Sequence, residues 1–274
     1  MKKIFTGLMA FVGLMSFAGC DKIEPEEYTV YDGAVIEWET GSADLPAVQR
    51  VYVEKYTGPR CSNCPTADVT LDAIHNDNVV IVSINHPTGQ GTPYPNQPDM
   101  RTVGGTVWDN YFGINAIPAA YVNRDRSTQY LGDMANIGSA INEALATVPQ
   151  IAIEVEAIEV NGSVYVNTHL DYKQDIPDVL TLTVALVEDS VVYRQLLPDN
   201  SIDDNYAHNH MLRKVVTSYW GRDIEASGKK ETKLVGSLNL MLPSDVELEH
   251  CHIVAFVSNK ASRKVLNVAS CEIQ

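Results

Sequence analysis

Two cysteines two residues apart, Cys61 and Cys64, are the residues of this chain best suited to covalent chemistry. They close the stretch VYVEKYTGPRCSNCP, residues 51–65, in which an apolar-rich segment leads into Thr57, Gly58 and Pro59. Residues i and i+3 are neighbours in the first turn of a helix, so both sulfurs can reach disulfide geometry without moving the backbone. At the helix start, free N–H groups and the positive end of the dipole favour a thiolate at Cys61, which makes it the attacking sulfur. Cys64, one turn inward, is then the resolving sulfur. A closed zinc site needs four ligands, and no second cysteine pair is placed to supply them. His208 and His210, or His250 and His252, would each share a face if extended, but two ligands do not make a site, and no metal is expected.

The elements around the pair must hold it at a sheet end. Pro65 stands where a missing helical N–H costs little, and Ala67, Leu71 and Ile74 give the helix one apolar face. Val79 to Ile84, VVIVSI, reads as a strand covered on both faces. Asp99 to Phe112 is expected to be helical despite Gly104 and Gly105. Ile117 and Pro118 precede a short apolar strand, and Ile137, Ile141, Leu145 and Val148 mark a closing helix that Pro149 stops.

This order over residues 34–149 resembles the thioredoxin fold. The resemblance implies a cis bond between Ile117 and Pro118 beside the cysteines, with Pro118 and the backbone of Ile117 as the platform on which a partner's cysteine strand docks. Two departures stand out. Arg60 precedes Cys61 where thioredoxins usually carry tryptophan, and no acid occupies the usual register behind the cysteines. Glu54, one residue further back, is the candidate proton acceptor. The loop 86–98, HPTGQGTPYPNQP, begins at the cysteine end of the sheet. It reads either as a rim contacting the site through His86 and Tyr94 or as a plain surface loop.

From Gln150 the texture changes to alternating strands. Asn161-Gly162 is a hairpin signal, because both central residues of a type I′ turn need positive φ. Several strands without intervening helices make residues 150–274 an all-β sandwich, immunoglobulin-like. A long polar excursion, 194–232, interrupts it. If Asn259 and Arg263 close a short hairpin, Cys251 lies directly opposite Cys271, at a Cα separation of about 4.5–5.5 Å that suits a structural disulfide. A one-residue slip would leave two buried thiols instead.

The chain begins Met1-Lys2-Lys3, runs apolar from Ile4, and reaches Phe17-Ala18-Gly19-Cys20. This reads as a secretory signal, residues 1–19, too short for the ~20 residues of a spanning helix. The small pair before Cys20 resembles a bacterial lipobox, which implies a lipid anchor on Cys20 and an acidic tether over 20–33. A net charge of −15 argues against nucleic acid as a partner. With the lipobox, the EKYTG-x-x-C-x-N-C-P stretch, AHNHMLRKVV and the domain order, the chain resembles the lipoprotein family named for a 28-kilodalton outer-membrane protein. The resemblance implies a cell-envelope protein, membrane-tethered at the outer membrane. Two functions remain open. One is thiol–disulfide exchange, without a cofactor, with envelope proteins that carry reactive cysteines. The other is a non-catalytic binding or adhesion lipoprotein in which Cys61 and Cys64 form only a structural disulfide.

Overall fold

The computed structural model describes residues 33–226 and 228–274. The signal, Cys20 and the tether as far as residue 32 lie outside the described residues. The chain is mostly β. Its elements are β1 (Glu37–Thr40), β2 (Val51–Thr57), α1 (Cys64–Asp72), β3 (Val79–Asn85), α2 (Val103–Phe112), β4 (Ala119–Val122), β5 (Gln129–Leu131) and α3 (Ile137–Leu145). Then follow β6 (Ile151–Val160), β7 (Ser163–Tyr172), β8 (Leu180–Glu188), β9 (Val191–Leu196), β10 (Ile202–His208), β11 (Met211–Val215), β12 (Arg222–Asp223), β13 (Lys233–Met241), β14 (Cys251–Asn259) and β15 (Val265–Glu272).

In the first half, β2 runs parallel to β3 and antiparallel to β4, and β5 pairs with β4. Every residue of β2 and β3 is buried, as expected for central strands covered on both faces. On one face, Val51, Val53, Val79 and Ile81 pack with Ala67 and Leu71 of α1 and Ile137 and Ile141 of α3. On the other, Tyr52, Tyr56, Val82 and Ile84 pack with Val107, Trp108 and Phe112 of α2. The glycines expected to weaken α2 have a steric purpose. A Cβ on Gly104 would stand 2.4 Å from Val215 Cγ2, and one on Gly105 would stand 2.8 Å from Ile84 Cγ2. Only glycine lets this helix approach both strands so closely.

The second half does not form a separate sheet system. One nine-stranded sheet runs β15-β14-β8-β11-β3-β2-β4-β5, with β12 on β8, so strands from both halves share it. The joint is narrow: Met211 of β11 registers with Ser83 of β3, whose N–H donates to His210 O at 2.6 Å. A four-stranded sheet, β1-β13-β7-β6, covers the β8, β14 and β15 region, with Ile151, Ile153, Val166 and Leu170 packed on Leu182, Val184, Ile253 and Ala255. Its first strand, β1, comes from the N-terminal end of the described chain, so residues 37–40 pack with the second half and not with the first. Asn161 and Gly162 turn β6 into β7 with φ of 54° and 85°, as the type I′ expectation requires.

Asn267, fully buried on β15, stitches the halves together. Its Oδ1 accepts from Arg50 N–H at 3.0 Å, and its Nδ2 donates to Val48 O at 2.9 Å and Ile151 O at 2.8 Å.

The expected disulfide between Cys251 and Cys271 is not formed; both are free. Cys271 pairs with Ile253, two residues further along β14, because the turn at 259–264 and a register shift at Val257/Ser258 displace the strands. The two thiols pack on the same core two register positions apart, and burial pushes the Cys251 thiol up to about 12 and the Cys271 thiol up to about 11.

Candidate functional site

Cys61 and Cys64 are disulfide-bonded, with Cα atoms 5.4 Å apart. Strand β2 ends at Thr57 and delivers the chain into a turn in which Cys61 N–H donates to Gly58 O at 3.1 Å and Cys64 N–H to Cys61 O at 3.3 Å. Helix α1 begins at Cys64, with Asn63 as its N-cap and Pro65 in its first turn. Cys61 therefore sits in the turn before the helix and does not open it. Both cysteines are 1% exposed, so neither sulfur is the more accessible of the pair.

Two segments cover the turn. The loop 86–98 is a rim: Arg60 N–H donates to Gln90 O, and the Arg60 guanidinium donates to Thr92 O at 3.1 Å and Pro93 O at 2.8 Å while lying 4.4 Å from the Tyr94 ring. Arg60, in the position where an aromatic residue was the point of comparison, is a clamp on this loop. The second cover is the β9–β10 hairpin. Leu196 N–H donates to Pro59 O at 2.9 Å, and Gln195 Nε2 donates to Cys61 O at 2.9 Å. Part of the polar excursion therefore reaches back across the chain to close over the disulfide, a contact that nothing in local sequence pattern announces.

The peptide bond between Ile117 and Pro118 is cis. Register places the pair beside the cysteine turn, because Ala119 pairs with Tyr56 of β2.

Glu54 is not on the cysteine side of the sheet. Alternation along β2 sends Val51, Val53 and Lys55 toward α1, and Tyr52, Glu54 and Tyr56 toward α2. Glu54 is wholly buried there, held by Arg124 Nε at 2.7 Å and by the hydroxyls of Tyr52 and Tyr56. The Arg124 guanidinium lies 4.1 Å from the Trp108 ring and 4.8 Å from that of Phe256. Burial, then the Glu54 charge, raises both tyrosine pKa values well above the ordinary range. This is a structural ion pair, and the proton-acceptor role expected for Glu54 is withdrawn.

The charged group that does face α1 is Lys55, bonded to Asp68, one helical turn beyond Cys64. Tyr206 of β10 donates to Asp68 Oδ2 at 2.9 Å. Thr57, Ser83 and Asn85 share this face, all buried, and together they form a polar floor between the sheet, α1 and the hairpin. The sequence carries half of the signal: a lysine inside a strand buried on both faces demands a carboxylate, while the face it lies on is set by packing.

The histidines separate. His208 is buried and stacked 3.5 Å from the Tyr193 ring, and burial pushes its pKa down to about 3. His210 has φ 60°, which breaks the extended run, so it does not share a face with His208. It bonds Asp189 at 3.3 Å, and His252 reaches the same carboxylate at 2.9 Å. His86 bonds Asp109 at 2.7 Å, fixing the start of the rim loop.

The family described as outer membrane protein Omp28 matches residues 106–274 of this chain. The matched region excludes Cys61 and Cys64. No curated protein matches the sequence. Among solved structures, HBP35 of Porphyromonas gingivalis aligns with a TM-score of 0.65 at 16% identity, covering 84% of this chain and 77% of that one. This likeness concerns fold alone. A domain of the outer membrane lipoprotein Omp28 from Porphyromonas gingivalis aligns at 19% identity over 47% of this chain and 91% of that one, with a TM-score of 0.34.

Proposed function

This chain belongs to the Omp28 family of outer-membrane proteins and so is a protein of the cell envelope, and from that premise we propose that it is a lipoprotein bearing a covered thiol–disulfide exchange site. In this reading Cys20 carries the lipid, residues 34–149 are in the main a thioredoxin-like unit, and residues 150–274 an immunoglobulin-like sandwich that braces and covers it. A partner thiolate attacks one sulfur of the Cys61–Cys64 pair; the disulfide breaks as the intermolecular bond forms, and the displaced thiolate takes a proton. We assign attack in the reverse direction to Cys61, which lies outside the helix, and resolution to Cys64, which is built into it. Partners are envelope proteins with reactive cysteines, docking alongside Ile117 and Pro118.

The observation that carries this reading is placement. The disulfide stands where the central strand β2 hands over to α1, with residues 117–118 brought alongside by the pairing of Ala119 with Tyr56. A second reading, a permanent staple in a binding protein, is favoured by the near-complete burial of both cysteines. A glutathione redox titration separates the two. Exchange predicts a reduction potential above about −300 mV, whereas a staple lies below it. The Cys64→Ser variant should also trap a cysteine-containing peptide as a mixed disulfide on Cys61, and the Cys61→Ser variant should trap none. A potential below that limit together with no trapped adduct leaves only the staple.

A further inference from the structure

We propose that the β9–β10 hairpin is a lid on the Cys61–Cys64 disulfide, and that a reductant reaches the sulfurs only when this hairpin lifts from the cysteine turn. The inference deepens the exchange reading and takes its biological meaning from it.

The hairpin is built to move separately. It forms a two-stranded sheet of its own, paired with neither of the larger sheets, and isolated two-stranded hairpins are marginally stable. Its register shifts between Asp203 and Tyr206, and most of β10 is exposed or half-exposed. Its hold on the body rests on a few identifiable bonds: Leu196 N–H to Pro59 O, Gln195 Nε2 to Cys61 O, Arg194 N–H to Gln97 Oε1 at 3.0 Å, and Tyr206 to Asp68. Among the described residues its buried apolar contact is a small cluster of Val191 and Tyr193 with Met100 and Met211.

The surface beneath is polar, and incompletely satisfied. Ser83 Oγ and Asn85 Oδ1 are buried with no hydrogen-bond partner among the described residues, and the Tyr193 hydroxyl meets the Asn85 side chain without a well-formed bond. Such atoms are costly while covered and gain water when uncovered. Lifting the hairpin therefore exposes little apolar area and relieves unpaired polar groups, which puts the opening at the low-energy end of the molecule's local unfolding. Its consequence reaches the disulfide, because the Cys61 carbonyl and the turn ahead of it are among the groups the hairpin holds.

The test is the rate at which dithiothreitol reduces the Cys61–Cys64 bond, read by alkylation and peptide mass. In this step the reagent's two thiols close to its cyclic disulfide and two thiols appear at Cys61 and Cys64. Gln195→Ala, which removes the bonds to Cys61 O and Leu196 O, should speed reduction about tenfold, and Tyr206→Phe, which acts away from the cysteines, about fivefold. Hydrogen exchange on the unaltered protein supplies a measurement without mutation: amides of residues 191–208 should exchange well ahead of those of β8. Reduction rates equal to the unaltered protein in both variants, or hairpin amides as slow as those of β8, overturn the proposal. Dithiothreitol is the only reductant used, so this result stands apart from whether Cys61 exchanges with proteins, which the glutathione titration decides.

Discussion

Arg124→Ala should lower the free energy of unfolding by about 3–5 kcal/mol, the largest loss expected from any single change in the first half. The guanidinium is almost completely buried and is the counter-charge of Glu54, which is wholly buried on the α2 face of the sheet. Removing it leaves a carboxylate with two phenol donors and no cation, and it also strips a planar group from between Trp108 and Phe256. Urea unfolding followed by tryptophan fluorescence reads the loss directly. A change under about 1 kcal/mol would show that Glu54 is tolerated alone, against the account of an obligatory pair. The double variant Glu54→Gln/Arg124→Met should recover much of the loss, because an apolar replacement of both partners avoids the stranded charge.

Asp189→Asn should cost about 2 kcal/mol near pH 5.5 and clearly less near pH 8.5. Asp189 joins the β8–β9 turn to β14 and to the segment after β10: its oxygens accept from His252 Nε2, from the His210 ring and from His210 N–H at 2.6 Å. Burial alone would raise the Asp189 pKa, but the bonds from His210 and His252 outweigh it and hold the carboxyl below its ordinary value. Its contribution is therefore present above the ordinary carboxylate pKa of about 3.9 and is lost as pH falls through the depressed folded value. For His210 the sign is opposite. Burial would lower its pKa, but Asp189 and Asp72 together raise it, so its contribution is full below about 6.5 and is lost as pH rises through the raised folded value. The two overlap between roughly pH 4 and 6.5, which sets the choice of pH. Half-exposed neighbours such as Asp72 moderate the size. A difference between variant and unaltered protein that is flat from pH 5.5 to 8.5 would remove His210 from the account.

The parts of this molecule legible in its sequence are those fixed by neighbours in the chain. Val79 to Ile84 reads as a buried strand from its β-branched run, Ile137 and Ile141 show their helical stripe, and Asn161-Gly162 marks its turn. The cysteine turn after β2 follows from spacing too, although the helix starts at Cys64 and not at Cys61. Hidden features depend on distant pairings. VYVEKYT is buried on both faces, so its pattern does not say whether Glu54 or Lys55 faces the cysteine helix; only packing decides. The Cys251–Cys271 expectation failed on register, which a single bulge and the exact turn length control. Nothing local to β1 points to β13, and nothing local to Gln195 points to Cys61.

Asn267 has a further consequence, for how the molecule comes apart. One side chain holds Val48 and Arg50, which lead into β2, and Ile151, which opens β6, all from its place on β15. The connection around residues 146–150 is consequently no hinge, since the segments on either side of it are bound to the same amide. Losing either half strips partners from polar groups in the other, Val48 O and Arg50 N–H on one side and the buried Asn267 amide on the other, and that penalty couples their melting. Although two sequence textures meet at Gln150, heat should undo them as one calorimetric unit, with a single endotherm whose van't Hoff and calorimetric enthalpies agree.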